Sequence, residues 1–263
     1  MIRRSIAIVA WLVAGHVVLG GLYWALLQTP ESNVFMLTTS ALLVLLMLLG
    51  VGIVEGVGLM AWQHAGGVGG LIGGVARRLF WVVPALAVFA AIWWLTGAHL
   101  RYFAAHAGEI DAWFIAKTGW VRTAWFHVGM QWIGYVLRFV VGVSLALSLF
   151  AAGLGQNWAG VARAGWLVRA FSWRTLAIVG LALLAIWAGP WQLAYWRPSG
   201  LPSTWVQPTF AGAKLVVLFV AVNALWAFVL WAIGRAMTPK SEAAPVEVVE
   251  PAPAEAGPLS DAG

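Results

Sequence analysis

Among 263 residues rich in apolar side chains, very few could do chemistry, and their surroundings make each one conspicuous. His16, Glu55, Arg138 and Lys214 fall inside long apolar runs, with Asn223 as a polar neutral in the same setting. An ionisable group in hydrocarbon is costly, so each is a candidate for a functional role. His16 lies in the middle of the first run, where a neutral imidazole could ligate heme iron, bind a metal or hydrogen-bond a neighbouring helix. Glu55 is flanked by Gly52, Gly56 and Gly58, which would admit a close helix and a basic partner. Arg138 is the expected partner, making Glu55 and Arg138 a candidate buried charged pair, structural or functional in equal measure. Lys214 is near the outer, N-terminal end of the last run, where it can snorkel to the interface.

Three further histidines make a second constellation. His99 ends one apolar run, His106 follows it by seven residues and His127 begins the next. They are expected on the same membrane face, where three imidazoles near Met130 could bind copper or zinc, or two could grip a heme. Their spacing matches no tight metal motif. Scattered interfacial histidines are the simpler reading.

No catalytic pattern accompanies them. The chain has no phosphate-binding loop, dinucleotide glycine motif, zinc-helix motif or nucleophile elbow, so an enzyme is not the expected reading. The glycine-rich His64 to Gly74 stretch lacks a following Lys-Ser/Thr and reads as a flexible interfacial connection. With no cysteine, disulfides, thiolate metal sites and iron–sulfur clusters are excluded.

The elements that must position these groups follow from composition. Hydrophobic residues make up 62% of the chain and charged residues 9%, too few to cover a soluble surface. The expected fold is therefore all-α, a polytopic membrane helical bundle. Each crossing needs about 20 apolar residues. Six segments qualify: 5–27, 34–62, 79–97, 126–153, 175–195 and 210–233. Arg3 and Arg4 before the first could mark a signal peptide, but no small-residue cleavage site precedes Gln28, so a retained helix is expected. Residues 1–237 form the membrane domain, and 238–263, rich in Pro, Ala, Glu and Val, reads as a disordered cytoplasmic tail. Gln156 to Trp173, with Arg163 and Arg169 among aromatics, reads as an amphipathic interfacial helix. The 100–125 stretch is a second place for a surface helix.

Lysine and arginine placement sets the expected orientation. With the N-terminus inside, nine basic residues (Arg3, Arg4, Arg77, Arg78, Arg163, Arg169, Arg174, Arg235, Lys240) face the cytoplasm and four (Arg101, Lys117, Arg122, Arg197) face out. Both termini are thus expected in the cytoplasm of a bacterial-type inner membrane. The net charge of +6 is accounted for by this topology, and no nucleic-acid partner is implied.

Two segments resemble a known group. Gly15-His16-Val17-Val18-Leu19-Gly20-Gly21-Leu22-Tyr23-Trp24 resembles the first-helix histidine segment of the copper-resistance D family and of the membrane-bound protoporphyrinogen oxidase family. Ala213-Lys214-Leu215-Val216-Val217-Leu218, leading to Asn223, is similar to their Lys-Leu helix, and Arg138-Phe139 to an Arg-Phe pair of the copper family. The resemblance covers about 30 residues, and one additional span separates Arg138 from Lys214. It implies that His16 ligates heme or metal and that Lys214 is functional. Three functional expectations follow. The first is redox or metal handling with heme b or copper. The second is a structural or assembly subunit of a membrane complex, and the third a small-solute transporter using Glu55 and Arg138.

Overall fold

The computed structural model describes residues 2–30, 32–63, 68–119, 124–195 and 206–238, which leaves the 239–263 tail outside the described residues. Every regular element in those segments is helical: α1 (Ile2–Gln28), α2 (Val34–Gln63), α3 (Val68–Arg77), a 3-10 turn (Leu79–Trp81), α4 (Val82–Ala105), α5 (Ala107–Thr118), α6 (Ala124–Tyr135), a π-helical turn (Val136–Val141), α7 (Gly142–Ala162), α8 (Gly165–Ala170), α9 (Trp173–Tyr195) and α10 (Val206–Met237). Six of the helical stretches are long and apolar enough to cross a membrane: Ile2–Gln28, Val34–Gln63, Leu79–Ala105, Ala124–Gly155, Trp173–Pro190 and Val206–Met237. The chain is a polytopic α-helical membrane protein. Its outer surface carries exposed Val17, Trp24, Leu45, Val83, Trp94, Leu181 and Val216, a surface suited to acyl chains.

Small residues bring the helices together. A side chain on Gly15 would collide with Val54 of α2, and one on Gly58 with Leu230 of α10. Gly52 and Gly56 similarly receive Leu79 and Val75. The glycines around Glu55 therefore do admit close neighbours, and α1, α2 and α10 pack around Leu12, Val57, Leu59, Leu230 and Ile233. Hydrocarbon supplies no hydrophobic drive between helices, so this close packing and a few interhelical hydrogen bonds must hold the bundle. One such bond runs from Trp11 Nε1 to the Val54 carbonyl, 3.0 Å, and ties α1 to α2.

The membrane-end segments differ in detail from expectation. Val68–Arg77 is helical rather than a loop, and the third crossing continues as α4 to Ala105 instead of stopping near Gly97. Gln156 to Trp173 is not the single interfacial helix expected: residues 156–162 continue the crossing helix α7, and only the short α8 stands apart, after Ala164 at φ 52°. In the 100–125 stretch, α5 is a surface helix.

Alternating crossings collect Arg3, Arg4, Arg77, Arg78, Arg163, Arg169, Arg174 and Arg235 at one end of the bundle, with Arg101 and Lys117 at the other. Two of the first group bond to carbonyls of other helices: Arg78 Nη1 donates to Leu154, and Arg169 Nη1 reaches Ala236 and Met237 at 3.5 and 3.4 Å. Arg169 thereby serves the end carbonyls of α10, where a cation also opposes the helix dipole, while Arg78 reaches a carbonyl within α7.

Candidate functional site

The close approach of α1 and α2 at Gly15 and Val54 sets the neighbouring residues, His16 and Glu55, face to face. His16 Nε2 lies 3.2 Å from Glu55 Oε1, and His16 Nδ1 lies 2.6 Å from Asn223 Oδ1 of α10. Trp226, three residues after Asn223 and so on the same helical face, donates from Nε1 to Glu55 Oε2 at 2.7 Å. Asn223 Nδ2 donates to the Phe219 carbonyl at 2.8 Å, one turn back on α10. That bond requires the nitrogen on the Phe219 side and so turns the oxygen toward the imidazole.

These contacts fix where protons must be. Asn223 Oδ1 can only accept, so Nδ1 of His16 carries a hydrogen. Between Nε2 and Oε1 a hydrogen bond needs exactly one proton, held by either atom. The pair is then imidazolium–carboxylate or imidazole–carboxylic acid, and both forms are electrically neutral. Removing that proton would set a lone pair against a carboxylate. That removal breaks the contact between α1 and α2, whereas a second proton can sit on Oε2 and leave Oε1 to accept from the imidazolium. The Glu55 side chain is 11% exposed and that of His16 28%, so the imidazole is the accessible edge of a covered carboxyl group.

Arg138 is not part of this cluster, contrary to the expected Glu55–Arg138 pair. The reason is depth as well as position. Glu55 stands two turns from the end of α2, while Arg138 is almost five turns from Gly155 at the same end of the bundle, a difference of roughly 13 Å along the axes. Arg138 instead donates from Nε to Thr96 Oγ1 at 2.9 Å, with its guanidinium carbon 4.7 Å from the centre of the Trp93 ring. Lys214 lies nine residues before Asn223 on α10, more than two turns from His16, with Nζ 5.5 Å from the centre of the Phe210 ring.

The three histidines at the other end also have separate partners. His99 contacts Phe103, His106 Nδ1 bonds the Tyr102 carbonyl at 2.9 Å, and His127 Nε2 bonds Asp111 Oδ1 at 2.8 Å. Among the described residues no three His, Asp or Glu side chains converge as a metal set. The copper or zinc expectation for His99, His106 and His127 is thus not met by this arrangement: His99 lies within α4, His106 caps its end against the Tyr102 carbonyl, and His127 on α6 is held by Asp111.

Heme or copper at His16 meets a different obstacle. A metal-ligating histidine gives one nitrogen's lone pair to the metal while the other donates its hydrogen to a partner. Here Asn223 takes the second role and Glu55 faces the nitrogen that would have to take the first. The residues as arranged do not fit the group.

No family model, curated protein or solved structure matches the chain. Its own geometry therefore carries the functional argument. Trp226 is the residue that the sequence reading passed over, and its signal was its i+3 spacing from Asn223 on the helix carrying Lys214.

Proposed function

We propose that this protein is a proton-coupled carrier of a bacterial-type inner membrane, with both termini in the cytoplasm, and that His16 and Glu55 form its proton-binding element. The observation that carries the reading is the 3.2 Å contact between His16 Nε2 and Glu55 Oε1 in the interior of a membrane bundle, with Asn223 and Trp226 holding the two groups in register. A protonatable pair within crossing helices is a recurrent element of proton relays and coupled carriers. The collected arginines support the orientation, since basic residues are retained on the cytoplasmic side.

Proton occupancy alters packing in this reading. With one proton, the pair links α1 to α2, and Asn223 extends the link to α10. Loss of that proton turns attraction into repulsion at the point where Gly15 meets Val54, and the helices can separate there. A carrier needs such a coupling between occupancy and helix arrangement. In this proposal the transporter's pair is Glu55–His16 in place of the expected Glu55–Arg138. Heme or copper at His16 would first require release of Nε2 from Glu55, whereas proton binding needs no rearrangement.

Reconstitution tests the proposal. Liposomes containing the full chain and an internal pH-sensitive dye, given small solutes one at a time on one side, should dissipate an imposed pH gradient faster than empty liposomes for at least one of them. Glu55→Gln and His16→Gln should each reduce that rate at least about tenfold, as expected when the titrating group of a relay is removed. Equal rates for wild type and both variants would overturn the reading.

A further inference from the structure

We infer that Arg101 and Arg138 form a binding site for a phosphoryl oxyanion on the face of α4 marked by Gly97. A Cβ placed on Gly97 would lie 2.9 Å from Arg138 Nη2 and 3.4 Å from Arg101 Nη1. The two guanidinium edges therefore approach one point, their nitrogens no farther apart than the sum of those distances. Among the described residues, neither arginine makes an ion pair with a carboxylate; the ion pairs there are His16–Glu55 and His127–Asp111. Arginine cannot shed its proton, so two adjacent guanidiniums at a membrane crossing call for an anion.

The site is built rather than incidental. Buried Thr96 spends its hydroxyl hydrogen on the Ile92 carbonyl at 2.7 Å, with the Trp93 carbonyl at 3.1 Å, so its oxygen accepts from Arg138 Nε. Trp93 lies against the guanidinium, and Phe139 packs edge-on against Trp93. These contacts fix the Nε edge and one face of Arg138 and direct the Nη edge toward Gly97. Arg138 itself stands in the π-helical turn Val136–Val141, a local widening of the helix that recurs at functional sites. Gly97 leaves space where any other residue would put a methyl group between the arginines.

Planar guanidiniums sharing one point suit the oxygens of a tetrahedral phosphoryl group. Two sources have that chemistry: the headgroup of an anionic phospholipid and a free phosphate. The site is in the half of the bundle away from the collected arginines, with Arg101 in the last turns of α4.

Both sources can be tested on the full chain, purified in detergent and stripped of lipid. One arm titrates dioleoylphosphatidylglycerol against dioleoylglycerol, which lacks the phosphoryl group, and counts bound lipid by native mass spectrometry. The other titrates inorganic phosphate by phosphorus NMR. Binding of phosphatidylglycerol over diacylglycerol assigns the site to a headgroup, and binding of phosphate without lipid preference assigns it to a soluble oxyanion. In either case Arg138→Gln, Arg101→Gln and Gly97→Leu should each weaken binding about tenfold or more, as expected for a charge-assisted contact. Arg101 is exposed, and its variant carries the test should Arg138→Gln fail to fold. Absence of phosphate binding together with equal binding of the two lipids, or equal binding by wild type and folded variants, would overturn the inference.

Discussion

Glu55→Leu is expected to lower the stability of the bundle by about 1–3 kcal/mol, while Glu55→Gln changes it by less than about 1 kcal/mol. Leucine fills the space but accepts no hydrogen bond. It leaves Trp226 Nε1–H and His16 Nε2 without the Glu55 oxygens that now pair with them. Interhelical hydrogen bonds in membranes average well below the cost expected from hydrocarbon transfer, which sets the modest lower end of the range. Glutamine has nearly the same shape as glutamic acid. Its oxygen can accept from Trp226 and its amide can donate to a neutral His16, so both contacts persist without a titratable carboxyl group. The two variants thus separate the structural role of this side chain from its proton chemistry. Denaturant titration in detergent micelles checks the stability difference, and equal stability of the two variants would show that the hydrogen bonds are not made as described.

The second large effect is steric. Gly153 on α7 receives the indole of Trp81, and a Cβ there would overlap Cγ and Cδ2 of that ring. Trp81 has 1% of its surface exposed and is wedged against Phe80 and Trp158, with ring centres 5.0 and 4.6 Å away, so it cannot step aside. Gly153→Leu should therefore destabilise by about 3 kcal/mol, the upper part of the range for forcing added carbons into a packed core. Gly20→Ala is the control. Nothing lies within 4 Å of the position its methyl group would take, and alanine favours the helix by up to about 1 kcal/mol, so this variant should be neutral or slightly stabilised. Thermal melts in the same detergent compare the two, and a Gly153→Leu protein as stable as wild type would contradict the close packing of α7 on Trp81.

The contrast between these glycines separates what is legible in a sequence from what only the fold sets. Apolar run length was enough to find all six crossings, because the bilayer imposes a length on any helix that spans it. The importance of His16 and Glu55 was likewise legible, since the cost of an ionisable group in hydrocarbon needs no structure to recognise. Their partners were not. Charge alone suggested Arg138 for Glu55, but pairing depends on depth and helix adjacency, and α10 arrives beside α1 and α2 after three intervening crossings. The π-helical turn that aims Arg138 was also hidden, because Val136 to Val141 has an ordinary apolar composition. At the membrane ends, Gly69, Gly70, Gly73 and Gly74 suggested a flexible connection, yet these residues belong to helix α3. Glycine's unfavourable propensity is a weak influence that tertiary context overrides.

The proposed coupling rests on a single, removable proton between His16 and Glu55. Infrared difference spectroscopy of the protein in lipid, recorded across a pH titration with histidine or glutamate carrying carbon-13, reads those two groups directly. One coupled transition is expected, in which the imidazole and carboxyl signals shift together and which disappears in Glu55→Gln. Identical spectral changes in wild type and Glu55→Gln, over the pH range in which both remain folded, would contradict it.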